Sequence, residues 1–177
     1  MSERLPVIAV VGRPNVGKST FFNRVVGSRV AIVDDQPGVT RDRNFSKADW
    51  AGHHFFIVDT GGIVEDSDET MDKAIRQQAM LAVAEADVIL FLVDTKEGVQ
   101  PLDQKLAEVL RKTQTPVLLV ANKADNLPYN QDHQEFWSLG IGEPIPVSAL
   151  SGKGSGDLLD LVLEAIPEGA AEVYEED

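Results

Sequence analysis

The stretch VIAVVGRPNVGKSTFFNRVVG, Val7 to Gly27, runs from an unbroken apolar segment through a glycine loop into an amphipathic one. The apolar part reads as a buried strand and residues 17–27 as a helix closed by Gly27. Between them Gly12 to Ser19 fits G-x-x-x-x-G-K-[ST], and this pattern carries weight when a strand precedes it and a helix follows. Gly12 and Gly17 let the backbone wrap a phosphate with its N–H groups, and the helix start adds positive potential. Lys18 would reach the β- and γ-phosphates, and the Ser19 hydroxyl would bind Mg²⁺. Gly12, Arg13, Pro14, Asn15, Val16, Gly17, Lys18, Ser19 and Thr20 are the candidate nucleotide contacts here.

Outward from this loop, apolar runs alternate with amphipathic stretches, which argues an α/β layer fold. FSKADWAGHHFFIVDT holds two runs about an Ala51-Gly52 turn, an expected antiparallel hairpin. A helix is expected near residues 70–85, then the strand DVILFLVDT and a helix, PLDQKLAEVLRK, with Pro101 in its first turn. TPVLLVANKAD reads as strand and loop, PYNQDHQEFWSLG as a short helix, EPIPVSAL as a last strand and GDLLDLVLEAI as the closing helix. About six strands and five helices follow, without an internal repeat.

Two further motifs fall at strand ends, the edge where open α/β sheets bind ligands. Asp59-Thr60-Gly61-Gly62 follows the strand FFIV: Asp59 can hold Mg²⁺, and the Gly62 N–H can sense a γ-phosphate. Asn122-Lys123-Ala124-Asp125 follows VLLVA. The Asp125 carboxylate can accept from N1–H and the 2-amino group of guanine, whereas adenine offers neither donor there. Asn122 can tie the loops together, and the Lys123 stem can cover the base face. Ser148-Ala149-Leu150 can offer a backbone N–H to guanine O6. Each short motif alone reads equally as a turn; their common order is what carries the assignment.

The 177 residues amount to one domain. Hydrophobic residues make up 43% and charged residues 25%, an ordinary globular composition. The absence of cysteine excludes disulfides, thiolate metal sites and cysteine nucleophiles. A net charge of −13 argues against direct nucleic-acid binding by this domain. The first apolar run is too short to span a membrane and lacks signal-peptide features, so no membrane association and cytoplasmic residence are expected. Residues 1–167 read as the nucleotide-binding domain and 168–177, with five acids and no base, as an acidic linker or tail.

The segments GRPNVGKSTFFNR, PGVTRDR, DTGGI, AEADVILFLVD, ANKAD and FWSLGIGEPIPVSAL resemble the translation-factor-related GTPases. The likeness is greatest to the first G domain of the Der (EngA) family of ribosome-assembly GTPases, from about Pro6 to Pro167. The resemblance implies a three-layer P-loop NTPase fold with a mostly parallel six-stranded sheet, order 2-3-1-4-5-6, strand 2 antiparallel. It also implies a GTP/GDP switch with Mg²⁺, a second G domain and a KH-like domain elsewhere in a longer protein, and the large ribosomal subunit as its partner. Thr40, in PGVTRDR, is placed by the resemblance as the switch threonine that completes the magnesium shell and contacts the γ-phosphate. Its neighbours Arg41, Asp42 and Arg43 read as a solvated loop.

Catalysis is where this chain departs from Ras. The residue just past Asp-x-x-Gly, a water-orienting glutamine in Ras, is Ile63, which cannot hydrogen-bond water. By resemblance to potassium-dependent members, Asn15 can ligate K⁺ where an arginine finger would lie, or else bond its own turn. The candidate catalytic set is therefore Lys18, Thr40, Asn15 and Gly62, with Ser19, Thr40 and Asp59 on Mg²⁺ and Asn15 on K⁺. Unstimulated hydrolysis is expected at about 10⁻⁴ to 10⁻² s⁻¹ by analogy. Two alternatives stand: a nucleotide-gated module with negligible hydrolysis, and an ATP-using P-loop enzyme, against which Asp125 speaks. His53, His54 and His133 read as surface residues, and Trp50, Phe55, Phe56 and Trp137 as packing groups.

Overall fold

In the computed structural model, which describes residues 5–26, 45–60, 71–123 and 132–166, the first apolar run forms the strand β1, Val7–Val11. The chain continues through α1 (Lys18–Val26), β2 (Phe45–Trp50), β3 (His53–Asp59), α2 (Met71–Glu85) and β4 (Val88–Asp94). It closes with α3 (Pro101–Leu110), β5 (Val117–Asn122), a 3₁₀ helix (Asp132–Leu139), β6 (Ile145–Pro146) and α4 (Ser155–Ala165). The sheet order is β2-β3-β1-β4-β5-β6, with only β2 antiparallel to its neighbour, as expected. Among the described residues no helix is long and apolar enough to cross a membrane.

Strand side chains alternate between faces, so a central strand covered on both sides must be apolar at every position. β4 is such a strand, apolar from Val88 to Val93 and buried throughout to Asp94 at its end. Ile8, Val10, Leu90 and Leu92 pack on one face with Phe21, Phe22 and Val25 of α1 and Leu158, Leu159 and Val162 of α4. Ala9, Val11, Ile89, Phe91 and Val93 pack on the other with Ile75 and Ala79 of α2, Leu106 and Leu110 of α3, and Phe136 of the 3₁₀ helix. These are the three layers.

The register sets the strand ends side by side. Val10 pairs with Asp59, Val11 with Phe91, and Asp94 with Asn122, so β1, β3, β4 and β5 leave the sheet at one edge. At the opposite end the β2–β3 hairpin turns through Ala51 and Gly52, both at positive φ (54° and 85°), as a tight two-residue turn requires. Trp50, beside that turn, packs its ring against Gly156 and donates its indole N–H to Asp160 of α4 at 2.9 Å.

Three details depart from expectation. The last strand contracts to Ile145–Pro146 at the sheet edge, because Pro144 and Pro146 have no N–H to offer a ladder. The segment before it is a 3₁₀ helix, so there are four α-helices among the described residues. Its three-residue repeat buries Phe136 and Leu139 and turns Trp137 outward, 54% exposed, instead of packing it.

One buried charge ties the first loop to α3. Asp103, fully buried, accepts the Gln100 N–H at 2.8 Å and so closes the start of α3. Arg13 Nε lies 3.2 Å from one of its oxygens and 3.4 Å from the other, while Arg13 Nη1 meets Glu97 at 2.9 Å. Burial pushes the Asp103 carboxyl above its ordinary value, against the pull of the Gln100 N–H and Arg13. With a raised folded-state value, the native chain takes up this proton before the unfolded chain does. The group's contribution to stability therefore grows as pH falls towards the ordinary carboxylate value. Asp103→Ala, which strips both donors of their acceptor, should cost about 3 kcal/mol in chemical denaturation. Asp103→Asn should cost less, and the wild-type chain should gain on it as pH falls from neutrality towards about 4. An alanine variant as stable as wild type would refute the tie.

Candidate nucleotide site

The loop between β1 and α1 is compressed against the sheet. A Cβ on Gly12 would stand 2.9 Å from both the Leu92 carbonyl oxygen and Val16 Cγ2, so no other residue fits without displacing β4. Its N–H donates to Gln78 of α2 at 2.7 Å. Gly17 has φ +99°, and a Cβ there would run into the Asn122 amide. Asn15 is also left-handed (φ 72°), which Asn tolerates better than most residues.

What this geometry leaves over is a row of donors. No described residue accepts from the N–H of Asn15, Val16, Gly17, Ser19 or Thr20. α1 has no acid in its first turn to neutralise its positive end. Lys18, 6% exposed, folds back over the loop and donates to the carbonyls of Gly12 (2.8 Å) and Arg13 (3.0 Å), which places its ammonium across the loop mouth. Ser19 and Thr20 are exposed at the helix start, and Asn15 is exposed at the loop tip. Arg13 is different: its backbone belongs to the loop, but its guanidinium is buried on Asp103 and Glu97.

Asp59 ends β3 beside this loop, 4% exposed. The hydroxyl of Thr60 donates to the Val10 carbonyl at 2.9 Å and pins the end of β3 to β1. Gly61, Gly62, Ile63, Thr40 and Asp125 lie outside the described residues. His53 and His54 are exposed, and no group of three His, Asp or Glu among the described residues converges as a metal site.

The base side is built around one amide. Asn122 Nδ2 donates to the Val16 carbonyl at 2.8 Å, and Asn122 Oδ1 accepts the Ala149 N–H at 2.9 Å. Three segments, the phosphate loop, the end of β5 and the loop after β6, meet in that buried side chain. Lys123, at φ 67°, sends its ammonium to Asp94 (2.9 Å) and to the Asn15 carbonyl (3.1 Å). Its stem is thereby stretched along the site. Ser148 is buried, whereas Leu150 is 81% exposed.

Sequence reading passed over Asp94, Gln78, Asp103 and Arg24. Asp94 turns its other oxygen to the N–H of Lys96 at 2.8 Å, so it holds its own turn as well as Lys123. The one signal for it was an acid at the end of an all-apolar strand, the same position that Asp59 holds in β3.

A family profile described as 50S ribosome-binding GTPase matches residues 7–123. GTPase Der of Gemmatimonas aurantiaca is 58% identical over 164 residues, covering 93% of this chain and 37% of that protein. The chain thus spans a little over a third of the length of the curated relatives it matches. Among solved structures, Era in complex with MgGDPNP and a segment of 16S ribosomal RNA superposes with TM-score 0.71 at 26% identity, over 99% of this chain and 61% of that one. An Aquifex aeolicus Era variant bound to GDP and aluminium fluoride gives 0.67 at 28%, over 97% and 60%. With the glycine loop, the strand-end carboxylate of Asp59 and Asn122 all inside residues 7–123, the chain belongs to the family of 50S ribosome-binding GTPases.

Proposed function

We propose that this domain binds GTP and GDP with Mg²⁺ and hydrolyses GTP as a molecular switch. The observation that carries the reading is the phosphate loop: five backbone donors without a described acceptor, at the positive end of a helix, spanned by the Lys18 ammonium. The Asn122 bridge and Lys123 lie beside it, which supports a base position there, and Asp125 would select guanine. In the reaction a water oxygen attacks the γ-phosphorus in line as the bond to the β–γ bridging oxygen breaks, and GDP and inorganic phosphate leave. Lys18 spreads its charge over the phosphates, and the Gly62 N–H contacts the γ-phosphate. Ser19, Thr40 and Asp59 would hold Mg²⁺, which when bound offsets phosphate charge.

The residues present fit a supplementary cation better than a glutamine mechanism. Ile63 cannot orient water, and no arginine closely precedes Thr40. Asn15 is exposed at the loop tip with its carbonyl held by Lys123, which supports a K⁺-ligating role for its side chain. The likeness to GTPase Der supports a place in a longer cytoplasmic protein with a second G domain and a KH-like domain, acting on the large ribosomal subunit. At a net charge of −13, RNA contact falls to other parts of that protein. Ile63 also favours a second reading, in which the domain senses nucleotide and its own hydrolysis is negligible.

Three measurements test this. Asp125→Asn should weaken GTP binding by about ten- to a hundredfold and improve binding of xanthosine triphosphate. Unchanged GTP affinity would remove the base assignment. Ser19→Ala should lower Mg²⁺-dependent nucleotide affinity and turnover while the fold persists; normal turnover would refute the metal role. At fixed ionic strength K⁺, but not Na⁺, should raise single-turnover phosphate release about tenfold or more, below the 10³–10⁵ of an arginine finger. Asn15→Ala should abolish that gain and leave GDP affinity nearly intact. Equal rates in the two salts would exclude the cation, and no release in either would establish the second reading.

A further inference from the structure

The loop after β6 has spent nearly all its backbone donors. Ser148 N–H goes to the Lys153 carbonyl at 2.8 Å and Gly152 N–H to the Ser148 carbonyl at 2.7 Å. Ser151 N–H reaches Ser148 Oγ at 3.3 Å, and Ala149 N–H is taken by Asn122. Of these five consecutive residues, Leu150 alone keeps an N–H with no partner among the described residues.

The direction of that N–H is set from α1. Arg24 Nε donates to the Ala149 carbonyl at 3.1 Å and Arg24 Nη2 to the Leu150 carbonyl at 2.7 Å. A trans peptide plane carries its C=O and N–H on opposite sides. Holding the Ala149 carbonyl towards α1 therefore aims the Leu150 N–H away from it. Charge on the carbonyl also polarises the peptide unit and strengthens the N–H as a donor. Gly152 leaves room for the grip: a Cβ there would stand 3.2 Å from Arg24 Nη1.

We propose that Arg24 is a positioning residue for nucleobase recognition: its fork on the Ala149 and Leu150 carbonyls presents the Leu150 N–H to the 6-oxo group of guanine. The inference rests on the guanine-nucleotide reading above and names which donor meets O6 and what aims it. Arg24 also stands in the last turn of α1, where a cation favours the helix dipole. That role alone would change stability and leave base discrimination untouched. Arginine is required because a lysine ammonium offers no planar fork for two adjacent carbonyls.

The test compares GDP with 6-thioguanosine diphosphate, which keeps N1–H and the 2-amino group but replaces O6 by a poor acceptor. Wild type should prefer GDP. Arg24→Met should bind GDP about tenfold more weakly, the worth of one well-made hydrogen bond, and the thio analogue almost unchanged, so that the preference collapses. Arg24→Lys should fall between, and unfolding midpoints of both variants report on the fold separately. Equal loss on the two ligands would reduce Arg24 to a structural tie and overturn the proposal, as would no loss at all or a wild type indifferent to the 6-position. Failure of wild type to bind GDP would instead remove the nucleotide reading itself.

Discussion

The Asn122 amide is the interaction on which the rest of the site depends. It exists because Gly17 has no side chain: the space a Cβ would take is where the amide nitrogen sits. From there it holds the Val16 carbonyl on one side and the Ala149 N–H on the other. A buried primary amide with a donor and an acceptor satisfied costs little, but either bond broken would strand a polar group in the interior. Phosphate loop and base loop are thus held in a fixed relation without a ligand. The strand register makes this possible, because Asn122 stands opposite Asp94 at the same edge from which β1 enters the phosphate loop.

A second tier holds that bridge in place, and it lies in the segment from Asp94 to Asp103. Its first acid takes Lys123 and its last takes Arg13, while Glu97 between them completes the Arg13 contact. The two sides of the site, phosphate and base, therefore hang on one short connection between β4 and α3. Such buried charges rarely add much net stability, and Asp103 shows the cost in its raised carboxyl. What they supply is orientation: Arg13 turned onto α3 and Glu97, Lys123 turned onto Asp94 and the Asn15 carbonyl.

The hairpin and the glycine loop were legible because each is written in adjacent residues, whereas the sheet order came from the family resemblance. An apolar run, a positive-φ turn or a glycine loop is decided by sterics within a few positions. The supports were not legible. Lys123 meets Asp94 across 29 residues, Gly12 meets Gln78 across 66, Arg13 meets Asp103 across 90 and Arg24 meets Ala149 across 125. Nothing local marks Gln78 on a helix with many polar residues, and its role appears only when α2 is laid on β1. Phe136 and Trp137 show the same limit on a small scale: both suit a core, and only a three-residue repeat decides which one enters it.

A chain of net charge −13 that holds a polyanion must draw the attraction from short range. Beyond about 8–10 Å at physiological salt the protein's own field is screened, so its acidity opposes binding little. Close in, N–H groups at a helix start and the buried Lys18 ammonium would act at contact distance, where the protein's distant charges weigh little. The same reasoning separates the two halves of the site. The phosphate half gains from charge and tolerates small shifts, whereas the base half depends on neutral donors and acceptors whose value falls off with angle. That half needs its peptide planes aimed. A guanidinium on two neighbouring carbonyls aims them from outside the pocket, leaving the inner edge to the base.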